Sequence, residues 1–276
     1  MERNSLKSTK RLVVKVGTKS IMLNKSQINL RKIDRIAYVL SALIQEGIEV
    51  ILVTSGAIGV GASLMNLEEY PQNIPDQQAL SAIGQTHLMT LYAQSFRNYS
   101  QHIGQILFTK DIVEFPTSRK NMHNEINRLL EKKIIPIINE NDAVSVDELN
   151  HSTRFGDNDT LSAVVAVEID ADLLVILSDV DGLYDKNPSL NIDARLIEYV
   201  PAITEDIKNM AQGKGFEFSK GGMGTKLNAA EIILNAGSSM VIASAEIPDV
   251  IFSILEGKQI GTLFSKIERA NSYDNH

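Results

Sequence analysis

Five consecutive apolar residues, Leu173-Leu174-Val175-Ile176-Leu177, leave a strand built from them no face for water. Side chains alternate between the two faces of a strand, so such a run needs cover above and below, as in the middle of a parallel sheet. Comparable β-branched runs stand at 11–16, 49–54, 104–108, 134–139 and 239–243. Longer stretches with helical apolar spacing separate them, at 31–46, 77–99, 118–132, 158–169, 225–236 and 249–256. The alternation predicts an α/β fold, a three-layer αβα sandwich with a mainly parallel central sheet.

Open sheets of this kind bind ligands beyond the carboxyl ends of their strands. Polar residues collect at those ends: Ser55 after one strand, Asn139-Glu140-Asn141-Asp142 after another, Ser178-Asp179 after a third. Three glycine turns share the neighbourhood. Lys15-Val16-Gly17-Thr18 closes the first strand, Thr54-Ser55-Gly56-Ala57-Ile58-Gly59 the second, and Lys220-Gly221-Gly222-Met223-Gly224-Thr225-Lys226 precedes a helix. Glycine lets backbone N–H groups approach an anion, and a helix start adds partial positive charge. With Lys15 and Lys226 beside such turns, the pattern points to phosphate handling and phosphoryl transfer.

A net charge of −7 argues against broad binding to nucleic acid or to an anionic membrane. The absence of cysteine excludes disulfides, thiolate catalysis and zinc–thiolate sites. No segment reads as a secretory signal, and none reaches the roughly 18 apolar residues that span a bilayer, so a cytoplasmic location is expected. The 276 residues contain no linker or repeat, which suggests one domain. Positions 144–154 read as a hairpin lid, 213–224 as a mobile glycine-rich loop, and the tail from 265 onward as frayed.

Each motif also has a plainer reading. Lys15 could reach a sheet edge to keep its charge in water. The Gly-Gly-Met-Gly-Thr-Lys run lacks the spacing of a Walker A loop and could be a turn with Thr225 as helix cap. Ser55 could be a helix N-cap. Asn139-Glu140-Asn141-Asp142 and Gly156-Asp157-Asn158-Asp159 could be turns, with Asn158 or Asp159 capping the next helix. They could instead hold a divalent metal or grip an ammonium, and spacing does not separate these uses. The segment from Asp179 is no calcium loop, because Leu190 stands at its twelfth position. His87, His102, His123, His151 and His276 show no ligand spacing.

Six segments together resemble the amino acid kinase family, and in particular its glutamate-phosphorylating members. They are Val13-Val14-Lys15-Val16-Gly17-Thr18, Val53-Thr54-Ser55-Gly56-Ala57-Ile58, Ile138-Asn139-Glu140-Asn141-Asp142, Phe155-Gly156-Asp157-Asn158-Asp159-Thr160-Leu161-Ser162, Asp179-Val180-Asp181-Gly182-Leu183-Tyr184 and Gly221-Gly222-Met223-Gly224-Thr225-Lys226. The resemblance implies transfer of the γ-phosphate of ATP, with Mg2+ (magnesium), to the side-chain carboxylate of L-glutamate, the first step of proline biosynthesis. By the same resemblance Lys15 and Lys226 stabilise the transferring group, Asp159 orients them, and Ser55, Asp142 and Asn158 hold glutamate. ATP would be bound by Lys15, Ser178, Asp179, Lys220, Gly221, Gly222, Met223, Gly224, Thr225 and Lys226, and no protein metal ligand is expected.

The resemblance further implies an amino-acid-binding lobe over about 11–168, a nucleotide-binding lobe over about 169–264 and a tail at 265–276. It implies L-proline as feedback inhibitor, and a homo-oligomer, dimer or tetramer. Many bacterial members continue into a PUA domain, whereas a short form without one is expected here. Lys220 departs from the small or hydroxyl residue that relatives often carry. Two other readings compete: a kinase of the same fold acting on acetylglutamate, aspartate, carbamate or a nucleoside monophosphate, and a non-catalytic glutamate or proline sensor. The Asp142 segment favours a substrate with a free amino group, and the presence of both lysines with Asp159 argues against a sensor.

Overall fold

A computed structural model describes residues 2–24, 27–109, 111–143, 157–211 and 222–266. The strands among them are β1 (Arg11–Val16), β2 (Met22–Asn24), β3 (Gln27–Ile28), β4 (Glu49–Thr54), β5 (Ile103–Phe108), β6 (Ile135–Glu140), β7 (Leu173–Ser178), β8 (Tyr199–Val200), β9 (Ser239–Ser244) and β10 (Thr262–Phe264). Alternation along β1 sets the layers: Leu12, Val14 and Val16 enter one core, Val13 the other. A strand buried on both faces belongs in the interior of a sheet. β1 accordingly pairs in parallel with β4 on one side and β7 on the other.

The main sheet runs β5-β6-β4-β1-β7-β9-β10-β8, with β9 against β10 as its antiparallel pair, while β2 and β3 form a separate hairpin. From β1 the chain adds β4, crosses to β5 at the edge and inserts β6 between those two, then returns to place β7 on the opposite flank of β1. That reversal opens a crevice at the carboxyl ends of β1, β4 and β7. Helices Leu30–Gln45, Ile74–Arg97 and Val250–Leu255 bury their apolar residues in the core on one face. Helices Pro116–Glu131, Asn158–Glu168 and Met223–Ala236 do so on the other. The three-layer α/β architecture read from the sequence is the one observed.

All six expected long strands form, with ends within a residue of the expected ones, and the differences elsewhere have local causes. One helix begins at Ile74 rather than 77, because the Asn73 side chain accepts from Asp76 N at 2.9 Å and a proline follows at Pro75. Another begins at Met223 rather than 225, with Gly222 as its N-cap, so Thr225 lies inside the first turn and is not the cap. The short strands β8, at the edge, and β10, beside it, carry too few residues to show alternation. The lid expected at 144–154, Lys220 and Gly221, and the tail beyond 266 lie outside the described residues. At the amino terminus Arg3 donates to the carbonyls of Glu198 at 3.0 Å, Ile260 at 2.7 Å and Gly261 at 2.9 Å, tying the first residues to the far edge of the sheet.

Two glycines fix one wall of the crevice. A methyl group on Gly84 would sit 1.8 Å from the Ala57 carbonyl oxygen, and one on Gly61 would sit 2.1 Å from that of Leu80. Helix Ala57–Leu64 therefore lies backbone against backbone on helix Ile74–Arg97, which sets where its first turn faces. Gly84→Ala has to push these helices apart, with an expected cost of about 1–3 kcal/mol or more. Urea unfolding measures it; an unchanged midpoint would show that the contact is not tight.

Candidate active site

β1 would be apolar along its buried length but for Lys15, which lies between Val53 and Ile176 on the neighbouring strands. Its side chain turns to the face covered by helices Asn158–Glu168 and Met223–Ala236. There it is 6 % exposed, and a charge so buried needs a partner. The partner is Asp159, fully buried, whose Oδ1 lies 2.6 Å from Lys15 Nζ. Lys226 Nζ approaches Asp159 Oδ2 at 3.2 Å, and the Thr225 hydroxyl donates to the same oxygen at 2.7 Å. Three residues more than two hundred positions apart at their extremes thus meet around one carboxylate. It balances one of the two cations, so the cluster of Lys15, Asp159 and Lys226 carries one more positive than negative group.

Burial alone would push the Asp159 carboxyl up. The charges of Lys15 and Lys226, with hydrogen bonds from Lys15 and Thr225, outweigh that and hold it below the usual carboxylate value. For Lys226, desolvation comes first and lowers the ammonium, with the nearby Lys15 charge adding to it, although Asp159 and Asp179 pull the other way.

The segment around Asp159 shows how capping assigns these roles. Asp157 is the N-cap of its helix, accepting from Thr160 N at 2.8 Å and from the Thr160 hydroxyl at 2.9 Å. Asn158 and Asp159 are therefore not the cap and turn inward instead. Asn158 Nδ2 donates to Thr54 O at 2.8 Å, Ser55 Oγ at 2.7 Å and Asn139 Oδ1 at 3.0 Å. Ser55 is not a cap either. Gly56 takes that place with φ of 100°, a left-handed conformation that favours glycine, and a Cβ there would come 2.5 Å from Ile21 Cδ1. The first turn of the helix after Gly56 lines the crevice with Ala57 and Ile58, that of helix Asn158–Glu168 with Asn158 and Asp159, and that of helix Met223–Ala236 with Lys226.

The resulting cleft, of about 230 Å³, brings together Lys15, Ser55, Asp142, Asn158, Asp159, Ser178, Asp179 and Lys226 along its wall. Asp142 is contacted by the Ser81 hydroxyl at 3.3 Å. At the opposite end Ser178 closes β7, and Asp179 accepts from Lys19 Nζ at 2.8 Å. Burial first raises the Asp179 carboxyl, but the Lys19 hydrogen bond and charge bring it below the ordinary value. Gly222, Met223, Gly224 and Thr225 form the junction leading to Lys226, with Thr225 positioning Asp159. Lys19, Gln85 and Glu140 went unassigned in the sequence. Gln85 lies on a helix whose pattern resembles ordinary core, and Lys19 follows a glycine turn with no partner in sequence to mark it.

Residues 10–244 match the profile of the amino acid kinase family. Glutamate 5-kinase of Ligilactobacillus salivarius is 53 % identical over 96 % of this chain and 100 % of its own length. Those of Lactococcus lactis and Listeria monocytogenes are 52 % and 50 % identical, over 96 % and 99 % of this chain and 98 % and 99 % of theirs. Among solved structures, carbamate kinase from Giardia lamblia bound to AMP-PNP matches with a TM-score of 0.65 at 16 % identity, over 95 % of this chain and 100 % of its own. Isopentenyl phosphate kinase of T. acidophilum matches with a TM-score of 0.61 at 18 % identity, over 92 % and 99 %. At such identities the structural matches speak for the fold alone.

Replacing Asp159 by Asn leaves two buried ammonium groups facing each other. Asp159→Asn should lose about 3–5 kcal/mol of stability at neutral pH, as when one partner leaves a buried ion pair. Because the folded-state carboxyl titrates below its ordinary value of 3.8, this contribution is complete above that value and fades as pH falls through the depressed one. Urea unfolding of both proteins along a pH series should show the gap closing only in strong acid. A constant gap would remove the carboxylate charge from the account.

Proposed function

The chain belongs to the amino acid kinase family, and from that membership we propose that it transfers the γ-phosphoryl group of ATP to the side-chain carboxylate of L-glutamate. The product is L-glutamyl 5-phosphate, made at the start of proline synthesis. The chain is a kinase, and its relatives at about half identity over nearly their full lengths are glutamate 5-kinases. The observation that carries the mechanism is the Lys15–Asp159–Lys226 cluster at the cleft floor.

A glutamate side chain has a pKa near ~4.3 and is already ionised at neutral pH. No general base is required, which suits a cleft with no histidine among its described wall residues. The obstacle is that two anions must approach each other in line. Lys15 and Lys226 stand at the floor to receive the charge that spreads over the phosphoryl oxygens. Asp159 and Thr225 fix the two ammonium groups in advance, so little reorganisation accompanies the transfer. Ser55, Asn158 and Asp142 hold the acid at one end, and Ser178, Asp179 and the junction 220–226 hold the nucleotide at the other. The strands on the β4 side of β1 carry the acid lobe, 11–168, and those on the β7 side the nucleotide lobe, 169–264.

Among the described residues no three carboxylates or imidazoles converge to hold an ion, and the deepest carboxylate is taken by the lysines. That donor set fits Mg2+ held chiefly by nucleotide phosphates and water. When bound, the ion supplies further neutralisation of phosphate charge. No helix among the described residues is long and apolar enough to cross a membrane, and we place the enzyme in the cytoplasm.

A hydroxamate assay tests the reaction, since hydroxylamine traps an acyl phosphate. Glutamate, aspartate, acetylglutamate and carbamate are offered separately with ATP and Mg2+, and signal is expected with glutamate. Lys15→Ala and Lys226→Ala should each lower kcat by about 10²- to 10³-fold, the usual loss for one group that stabilises transition-state charge. A variant with unchanged kcat would drop that lysine from the mechanism, and signal with another acid alone would reassign the substrate. L-Proline shares the α-carboxylate and amine of glutamate, and the acid end is proposed as its feedback site in a dimeric or tetrameric enzyme. Millimolar proline should raise the apparent KM for glutamate, and sedimentation should exceed the 30.4 kDa of one chain; no shift, or a monomer, would overturn the respective point.

A further inference from the structure

Behind the acid end of the cleft lies a line of three buried or half-buried amides. Asn158 Nδ2 donates to Asn139 Oδ1 at 3.0 Å, and Asn139 Nδ2 donates to Gln85 Oε1 at 2.8 Å. The direction of this line is fixed at two backbone groups whose roles cannot reverse. Glu140 N–H donates to Asn139 Oδ1 at 2.9 Å, so that atom is an oxygen and the other end of Asn139 must be the donor. Thr54 C=O receives Asn158 at 2.8 Å, so Asn158 must present its NH₂ there. Gln85 can meet Asn139 only with its own oxygen. Its Nε2, on the far side, is buried without a hydrogen-bond partner among the described residues. A side chain kept only for packing would shed that unmatched donor, since an apolar residue of similar shape carries none.

The polarity reaches the cleft. Both hydrogens of Asn158 Nδ2 are spread over Thr54 O, Ser55 Oγ and Asn139 Oδ1. The amide atom of Asn158 left for a ligand is therefore Oδ1, an acceptor. Ser55 Oγ already accepts from Asn158, which leaves its hydroxyl hydrogen to donate. One wall of the acid end thus offers an acceptor for an ammonium beside a donor for a carboxylate, the complement of an α-amino acid rather than of a plain dicarboxylic acid.

From this we infer that Gln85 is a positioning residue for substrate selectivity: the backbone sets which way the amides point, and Gln85 holds Asn139 in place behind Asn158, so that the Asn158 oxygen sits at the right distance from the amino group of the acid. The inference rests on glutamate being the substrate. Gln85 has no contact with the phosphoryl end, so its removal should act on recognition of the amine and leave transfer itself alone.

The test uses the full chain and two acids that differ by the amine, glutamate as substrate and glutarate (the same five-carbon diacid without it) as competing inhibitor. In Gln85→Met, which neither accepts from Asn139 nor changes the volume much, the KM for glutamate should rise about tenfold, the worth of roughly one hydrogen bond to a charged group. The inhibition constant of glutarate, kcat and the KM for ATP should stay within about twofold. Gln85→Glu retains an acceptor toward Asn139 and should keep the wild-type preference. A merely structural role would weaken both acids together, and that result, or an unchanged glutamate KM in Gln85→Met, overturns the inference. So does loss of selectivity in Gln85→Glu, which stands as a test on its own should the methionine variant fail to fold. A wild-type enzyme silent with glutamate in the hydroxamate assay would instead count against the substrate assignment beneath it.

Discussion

Everything at the cleft depends on one electrostatic constraint: two ammonium groups are buried together, and a single carboxylate keeps them there. Without Asp159, Lys15 and Lys226 would repel across a poorly solvated floor, and each would gain by shedding its proton or moving to water. With it, both are held in place at a cost already met in folding. The cluster is also deliberately incomplete in charge. Two cations against one anion leave room for a further negative group. The arrangement is an argument against reading buried ion pairs as stability devices, since a well-packed apolar trio would serve a core better.

The rest of the fold can be understood as what brings three such residues together. β1 supplies Lys15 because it is central and because alternation turns position 15 to the face opposite Val14 and Val16. Asp159 and Lys226 come from the first turns of two helices covering that face. The cap at Asp157 and the glycine at 56 are small features with large effect. One releases Asn158 and Asp159 from capping, and the other lets a helix start where a side chain would strike Ile21.

Much of this was legible in the sequence. Six strands and six helices could be read because a doubly buried strand writes an unbroken apolar run and a half-buried helix writes a spaced one. Lys15 stood out for the same reason, as a charge inside such a run, and Lys226 for closing a glycine-rich turn, whereas the role of Asp159 between them followed from resemblance rather than from spacing. What could not be read were contacts made by ordinary-looking residues. Gln85 sits in a helix that reads as core, and nothing local marks its amide as facing Asn139. Capping was ambiguous for a related reason: Asp157, Asn158 and Asp159 are all good caps, and only the path of the chain into the helix decides among them. Strands β8 and β10 are too short for any period to register.

The place of β1 has a consequence for how the molecule is made. Its partner β4 follows within about forty residues, whereas its other partner β7 begins about 160 residues later. During synthesis, half of the sheet can assemble while one long edge of β1 still waits, with unpaired N–H and C=O groups and Lys15 lacking its carboxylate. The central strand of the finished protein is for that interval an edge strand. A lysine on an edge strand discourages pairing with other chains, so a charge that ends buried against Asp159 first guards the open edge of a half-built sheet.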